Sequence, residues 1–474
     1  MRHLCSLAAV LVAAAPGLAQ PRAGEVLAQR YELGQRLKRF ETEWDRQENE
    51  RARRAALTHL QKLTQQFFSF QFGEAGRSLE LARFALLSDD EPGLSRQWAW
   101  SLYATPETRV VDAKKKELAV TIDRFFAVKG DVPKGLEVQL WFTDKQVTTL
   151  KPDKFPVTVT VPLPPLGEFE GLDRKLYFMI ESGKEIRRTA LGISQIADPV
   201  ARLIAIKKAV AGWDAIDTVE RATVRDRAPL LEDLLLERAV PETDLPAADL
   251  LKNAEAMLNG KPFYTAEKPG EYWLSVPLEG KKTAPARVFV PRNLDPQKPV
   301  PVVVALHGAG GSENLFFEGY GAGRVVTECR KRGWVLVATR SPINFLGAPP
   351  VTAVLDQLTK RYPLDPKRTF VVGHSMGAMQ TIDLAQKHPG RFAAVAALGG
   401  SGTAKDLKAF AALPVFIGVG DKDFALAGAR ALYKALADGG AKNATLKEYP
   451  GVEHMVIVRE ALPDVFAVFD ARAK

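Results

Sequence analysis

The pentapeptide GHSMG, residues 373–377, places a serine between two glycines in the pattern G-x-S-x-G. An apolar run, residues 369–372, precedes it, and a helical pattern, residues 378–388, follows it. A serine on a sharp strand-to-helix turn presents its Oγ clear of the sheet, where it can act as a nucleophile. Glycines on either side lack a Cβ, so the strand and the helix can approach closely. The pattern predicts that Ser375 is a nucleophile.

A serine hydroxyl needs a general base and an acid that orients the base. With a nucleophile on a strand–turn–helix, the chain order should be serine, then acid, then histidine. His454 follows the last predicted strand, in the loop 450–454, where a base can reach the carboxyl ends of the strands. The other histidines of the chain after residue 20 lie where they cannot serve the serine: His59, His307, His374 and His388. We therefore predict His454 as the base.

The acid should follow the strand predicted at residues 414–419, and the next segment offers two aspartates, Asp421 and Asp423. Asp421 is closer to the strand, where an aspartate commonly caps a turn through its own backbone. Asp423 sits deeper in the loop and leads into an apolar helix. We favour Asp423 as the acid and keep Asp421 as the alternative.

An anionic intermediate at the serine also needs hydrogen-bond donors. One should be the backbone N–H of Met376, which follows the nucleophile. The other should come from the glycine-rich loop 307–312, where Ala309 is the first choice and Gly310 the second. The loop has neither the G-x-x-x-x-G-K-[ST] nor the G-x-G-x-x-G spacing of phosphate-binding loops. We therefore interpret it as an oxyanion loop.

The elements that must position these residues alternate between strand and helix over residues 261–474. Residues 272–276 and 287–291 predict an opening β-hairpin, and further strands are predicted at 300–306, 334–338, 369–372, 393–398, 414–419 and 445–449. The run 300–306 is almost continuously apolar, as in a strand buried on both faces. Such alternation predicts an α/β domain with a mostly parallel sheet and helices on both faces.

Three regions precede this domain. Residues 20–104 show helical periodicity, residues 105–196 show short strands between turns, and residues 197–260 are helical again. We predict a helical region, a small antiparallel β-sandwich and a helical bridge, respectively. An apolar stripe at three-and-four spacing runs through the first region: Leu33, Leu37, Phe40 and Trp44. It predicts packing on the next domain, with a coiled coil to a partner as the alternative.

Residues 1–19 have the pattern of a secretory signal peptide: a short basic start, an apolar stretch and small residues before a cleavage point after Ala19. We therefore expect a secreted or periplasmic protein without stable membrane insertion. An amino-terminal anchor is the competing interpretation, but the apolar stretch is short for a bilayer. Cys5 leaves with the signal, and Cys329 remains as a buried free thiol.

The composition is that of an ordinary globular protein, with 46% hydrophobic and 26% charged residues. The formal charge of +9 is modest for 474 residues, and no block of lysine and arginine dominates. We therefore expect no nucleic-acid partner.

Four motifs together resemble those of the α/β-hydrolase superfamily. They are H-G-x-G-G at 307–311, GHSMG at 373–377, G-x-x-D at 420–423 and E-H at 453–454. Within it, residues from about 270 onward are similar to secreted bacterial esterases of the polyhydroxybutyrate depolymerase/feruloyl esterase and phospholipase/carboxylesterase types. The resemblance implies a serine esterase acting on small-molecule or polymeric esters, with no metal and no organic cofactor.

Two other functions compete with this one: a serine peptidase of related fold, and a cell-surface binding protein with a vestigial hydrolase domain. The presence of all three triad residue types disfavours the second. For an esterase, residues 316–317 and 343–346 are candidates for an apolar acyl or aryl pocket. Burial in the core is the competing interpretation of both segments.

Overall fold

The computed structural model describes residues 23–142, 145–236, 238, 243–341 and 349–474. The predicted signal peptide and the candidate pocket segment 343–346 lie outside these residues. Within the part of the chain that is described, no helix has the length and apolar character needed to cross a bilayer.

The first region consists of helices, as predicted. They are α1 (Ala23–Arg46), α2 (Glu50–Leu60), α3 (Leu63–Phe68), α4 (Phe72–Ala85) and α5 (Leu94–Ser101). The break after α1 is fixed by Asn49, whose side chain accepts hydrogen bonds from the first amides of α2. The apolar stripe of α1 is buried inside this chain, since Leu37, Phe40 and Trp44 are all at most 6% exposed.

Two sheets follow. Their strands are β1 (Leu102–Pro106), β2 (Val110–Asp112), β3 (Glu117–Arg124), β4 (Glu137–Phe142), β5 (Lys145–Leu150), β6 (Val157–Pro162), β7 (Gly171–Ser182) and β8 (Glu185–Ile196). One sheet has the order β1-β3-β6 and the other β2-β8-β7-β4-β5. Alternate residues of β3 and β4 enter one core, as in a sandwich. The pairing of β2 with β8 is parallel, which departs from the predicted antiparallel arrangement. The short strands β1, β2 and β5 were not predicted.

Three helices lead from the sandwich to the last region: α6 (Pro199–Ala211), α7 (Val219–Leu235) and α8 (Ala247–Met257). The buried guanidinium of Arg227 ties α7 to its neighbours. It donates to the carbonyl oxygen of Trp273 at 2.6 Å and to that of Leu250 at 3.3 Å. These helices therefore pack against the edge of the large sheet, as a bridge should.

The large sheet has eight strands: β9 (Gly270–Pro277), β10 (Thr283–Val290), β11 (Val300–Leu306), β12 (Val335–Thr339), β13 (Leu364–His374), β14 (Ala394–Leu398), β15 (Val415–Gly420) and β16 (Ala444–Tyr449). Their order is β9-β10-β12-β11-β13-β14-β15-β16. Only the pairings of β10 with β9 and with β12 are antiparallel. The predicted fold class, a mostly parallel sheet preceded by helices and a sandwich, is confirmed.

Helices cover both faces of this sheet: α9 (Arg324–Arg332), α10 (Val351–Thr359), α11 (Met376–Lys387), α12 (Leu426–Asp438) and α13 (Ile457–Ala473). Alternate residues of β11 divide between two cores. Val303 and Ala305 face the core of α9 and α13, whereas Val302 and Val304 face the core of α10, α11 and α12. The first core also contains the buried residues of α1 to α5 and of the sandwich. The helical region thus shares a core with one face of the large sheet. Cys329 is buried in α9 as a free thiol, as predicted.

Candidate active site

Ser375 sits on the sharp turn between β13 and α11 with φ 55° and ψ −114°. A non-glycine residue rarely adopts a positive φ, and such strain is typical of functional sites. The close approach of α11 to the end of β11 depends on Gly377, because a Cβ there would overlap the carbonyl oxygen of Leu306. Sequence and backbone therefore agree on a strained serine at the carboxyl end of a central strand.

His454 and Asp423 form a buried pair beside this turn. Nδ1 of His454 lies 2.9 Å from Oδ1 of Asp423, and the residues are 2% and 5% exposed. An ionised carboxylate only accepts hydrogen bonds, so Nδ1 carries the proton and the lone pair of a neutral imidazole is on Nε2. Asp421 is exposed and accepts the backbone N–H of Gly451 at 2.8 Å. The structure thus brings Asp423 to the histidine and leaves Asp421 as a turn cap.

Ser375 and His454 line one cavity of about 70 Å³ together with the glycine-rich loop, including Ala309. Met376 is the first residue of α11, so its N–H has no partner within the helix. The structure therefore brings together all five residues named from the sequence: three in the cavity wall, Asp423 behind His454, and Met376 next to the serine.

A second histidine, His374, links the two loops that hold these residues. Burial, with a smaller contribution from His454, holds its pKa well below the ordinary value, so the ring is neutral. Its Nε2 donates to the carbonyl oxygen of His454 at 2.9 Å, and its Nδ1 accepts the hydroxyl proton of Tyr320 at 2.8 Å. The Tyr320 oxygen accepts the N–H of Gly308 at 3.3 Å. Tyr320 was not identified from the sequence, where no local pattern marks it.

His307 braces the glycine-rich loop from its other side. Its Nε2 accepts the backbone N–H of Ser341 at 3.0 Å, and its Nδ1 donates to the carbonyl oxygen of Gly308 at 2.8 Å. The ring therefore fixes the start of the loop against the chain that follows β12. This positioning contact agrees with its exclusion as the base.

Residues 346–472 match the model of the Dienelactone hydrolase family. The matched segment contains Ser375, Asp423 and His454. The sheet that carries them is parallel except at the end formed by β9 and β10. The sheet and helices of residues 270–474 have the α/β-hydrolase fold.

A curated relative, "Putative esterase NocK" of Nocardia uniformis subsp. tsuyamanensis, is 29% identical over 139 residues. The match covers 26% of this chain and 40% of the relative, so the chain spans about two fifths of that relative's length.

Solved structures similar to this chain include a thermostable esterase with 15% identity and a TM-score of 0.40, covering 79% of this chain and 100% of that one. The S-formylglutathione hydrolase of Agrobacterium tumefaciens has 20% identity and a TM-score of 0.35, with 44% and 97% covered. A feruloyl esterase module from Clostridium thermocellum has 15% identity and a TM-score of 0.36, with 45% and 94% covered.

Glu453, next to the histidine of the α/β-hydrolase domain, is buried at 2% exposure. Its Oε2 accepts the hydroxyl proton of Thr64 at 2.7 Å, and its Oε1 accepts the N–H of Met455 at 2.9 Å. Burial raises the pKa of Glu453 to about 8. Thr64 belongs to α3, so the amino-terminal helices reach the loop that carries His454.

Of the two predicted pocket segments, residues 316–317 do not line the cavity, and residues 343–346 lie outside the described part of the chain. Phe316 and Phe317 are 1% and 5% exposed and belong to the core, so the core interpretation applies to them. The apolar wall opposite the serine comes instead from the amino-terminal helices: Leu33, Leu37, Leu63, Phe67 and Leu79. Sequence reasoning missed these residues because more than 290 positions separate them from Ser375 along the chain.

Proposed function

We propose that the protein is a serine hydrolase that cleaves carboxylic esters through Ser375, His454 and Asp423. The observation that carries the proposal is the buried His454–Asp423 pair on the cavity where the strained Ser375 emerges. The match to the Dienelactone hydrolase family supports an ester as substrate, since a lactone is a cyclic ester. The name of the curated relative points the same way.

In the first half of the reaction, Oγ of Ser375 attacks the ester carbonyl carbon while Nε2 of His454 takes its proton. Asp423 holds the ring in the correct tautomer and stabilises the imidazolium. The N–H groups of Met376 and Ala309 donate to the oxyanion, a contribution of about 3 kcal/mol each. The tetrahedral intermediate collapses when His454 returns the proton to the leaving alcohol, which leaves an acyl-enzyme.

In the second half, water replaces the alcohol. His454 takes a proton from the water as its oxygen attacks the acyl carbon, and the same two amides hold the second oxyanion. Collapse returns the proton to Oγ of Ser375 and releases the carboxylic acid. Every proton transfer goes through one nitrogen, Nε2 of His454, so the cycle ends with the starting protonation state.

Labelling with a fluorophosphonate probe tests the nucleophile. The wild-type protein should be labelled, Ser375→Ala should not, and Ser88→Ala should be labelled as wild type, because Ser88 is a surface serine after α4. An unlabelled wild-type protein without turnover of a broad ester panel would overturn the proposal and favour a vestigial hydrolase domain.

Comparing turnover of ester and amide substrates distinguishes an esterase from a peptidase. p-Nitrophenyl acyl esters should be hydrolysed, and peptide p-nitroanilides should be turned over slowly or not at all. Anilide turnover as fast as ester turnover would make the serine peptidase the better assignment.

A further inference from the structure

The amino-terminal helices lie directly over the serine. In the cavity that contains Ser375 and His454, the opposite wall is formed by residues of α1, α3 and α4. A Cβ placed on Gly310 of the oxyanion loop would lie 3.7 Å from ring carbon Cε1 of Phe67 in α3. A methyl group on Gly310 would thus just reach Phe67, so little space separates the oxyanion loop from the helices α1, α3 and α4, which we call the cap. The reacting carbonyl must fit into this space.

The space between the cap and the serine is small and apolar. Its volume is about 70 Å³, whereas pockets for drug-sized ligands measure roughly 300–1,000 Å³. The cavity is therefore narrow compared with a pocket for a large ligand, and we expect it to favour a short acyl chain over a fatty acyl chain.

One cap residue that borders the cavity is a glycine. Gly34 lies in the interior of α1 and lines the cavity. Glycine in a helix interior costs about 1 kcal/mol relative to alanine, so helix stability alone disfavours it here. We expect a larger side chain at this position to reduce the cavity that it shares with Ser375.

The cap is held to the α/β-hydrolase domain along its length. Nε1 of Trp44 donates to Oε1 of Glu460 at 2.6 Å, and Asp45 of α1 pairs with Arg324 at 2.7 Å and also with Arg459. Near the cavity, Arg30 donates to the carbonyl oxygen of Gly310. With the bond from Thr64 to Glu453, these contacts fix α1 and α3 at both ends of the site, so the cavity has a defined size.

We propose that the amino-terminal helices are the acyl-binding wall of this enzyme, and that Gly34 and Phe67 set its preference for short-chain esters. The inference rests on the proposed esterase function and adds to it the substrate class and the element that selects it. The acyl chain lies against Leu37, Leu63 and Phe67, and the alcohol leaves on the side open to solvent, where Gly310 and Phe68 are exposed.

Enlarging the cavity tests the role of Phe67. With p-nitrophenyl esters from acetate to octanoate, wild type should favour the two-to-four-carbon acyl groups. Phe67→Ala should raise kcat/KM for octanoate relative to acetate by about tenfold or more. Phe70→Ala is the matched control, because Phe70 lies three residues away, is 62% exposed and packs on Phe72. It should keep the wild-type profile.

Filling the cavity tests Gly34 in the opposite direction. Gly34→Ala and Gly34→Leu should lower kcat/KM progressively, and by about tenfold or more for butyrate with leucine, while the helix gains intrinsic propensity and Tm does not fall. Gln35→Leu adds the same side chain at the next position of α1, which faces a separate cleft. It should leave the acyl profile unchanged.

Different results would contradict the esterase activity and the acyl-binding role of the cap. Absence of labelling and turnover in wild type refutes the esterase itself. A labelled, active enzyme whose acyl-length profile is unchanged in Phe67→Ala and in folded Gly34→Leu refutes the acyl wall alone. A second series of acetates with longer alcohols should be unaffected by Phe67→Ala, and a response confined to that series would also overturn the assignment.

Discussion

Nδ1 of His454 and Oδ1 of Asp423 are 2.9 Å apart, and both side chains are almost completely buried. Asp421, two residues earlier, makes a different contact, with the amide of Gly451. The loop therefore assigns one aspartate to the imidazole and the other to the turn.

Replacing the orienting acid should favour the wrong imidazole tautomer. We expect Asp423→Asn to lower kcat about 10³- to 10⁴-fold with the fold intact, as measured by ester hydrolysis at neutral pH. Asp421→Asn keeps an oxygen that can accept the N–H of Gly451 at the surface, so it should keep kcat within a few-fold of wild type. Comparable losses in the two variants would contradict the assignment.

Tyr320 should act as a positioning residue. Tyr320→Phe leaves His374 Nδ1 without its donor and the N–H of Gly308 without its acceptor, so both catalytic loops lose a restraint. We expect kcat to fall about tenfold with little change in KM, because the loss affects transition-state alignment more than ground-state binding.

Tyr362→Phe is the control for that change. The Tyr362 hydroxyl is buried without a hydrogen-bond partner among the described residues, so its removal should not reduce kcat or stability. If the two variants have the same kcat, Tyr320 has only a packing role.

Glu453 should make stability depend on pH. Its folded-state pKa of about 8 lies above the ordinary value of 4.5, so between these values the folded chain binds a proton that the unfolded chain has released. Its contribution to the free energy of unfolding is therefore full below about pH 4.5 and falls as pH rises toward 8, by up to about 1.4 kcal/mol per pH unit.

Denaturant unfolding of Glu453→Gln and wild type from pH 5 to 8 measures this effect. The variant should gain in stability relative to wild type as pH rises, and parallel curves would contradict the prediction. Glu41, whose pKa burial also raises to about 8, contributes to both proteins and cancels in the difference. Glu448→Gln is an exposed control, because its pairing with Arg430 lowers the pKa and its effect falls below this window.

We also propose that the chain is exported and cleaved after Ala19, which gives a secreted or periplasmic protein. The mature protein should begin at Gln20, as determined by intact-mass measurement of protein from the periplasm or medium. Ala19→Arg should block processing, because the peptidase needs a small residue before the cleaved bond. Recovery of the unprocessed chain in the membrane fraction would instead support an amino-terminal anchor.

The parts of the site that local patterns encode were predictable. The turn at Ser375 is specified by its own glycines and by the strand and helix beside it, and His454 follows from the order of elements. The distinction between Asp421 and Asp423 needed an argument about loop depth, and the contacts of the two residues agree with it.

The remaining features of the site and the fold depend on tertiary contacts that no local pattern reveals. Tyr320 and Thr64 reach the catalytic loops only after the chain folds back on itself. Phe316 and Phe317 looked equally suited to a pocket and to a core, because apolarity alone does not tell which surface covers a side chain. The strands β1 and β2 have five and three residues, too few to show a reliable alternation.

The core shared by α1 to α5, the sandwich and one face of the large sheet has a consequence for how this molecule melts. Among the described residues, the buried side chains of the cap belong to the same apolar core as those of α9 and α13, so calorimetry should record their unfolding as one transition. Heat inactivation should coincide with it. A gene fragment that begins at residue 261 would expose this apolar face and yield insoluble material, so the cap cannot be exchanged between relatives as a surface loop can.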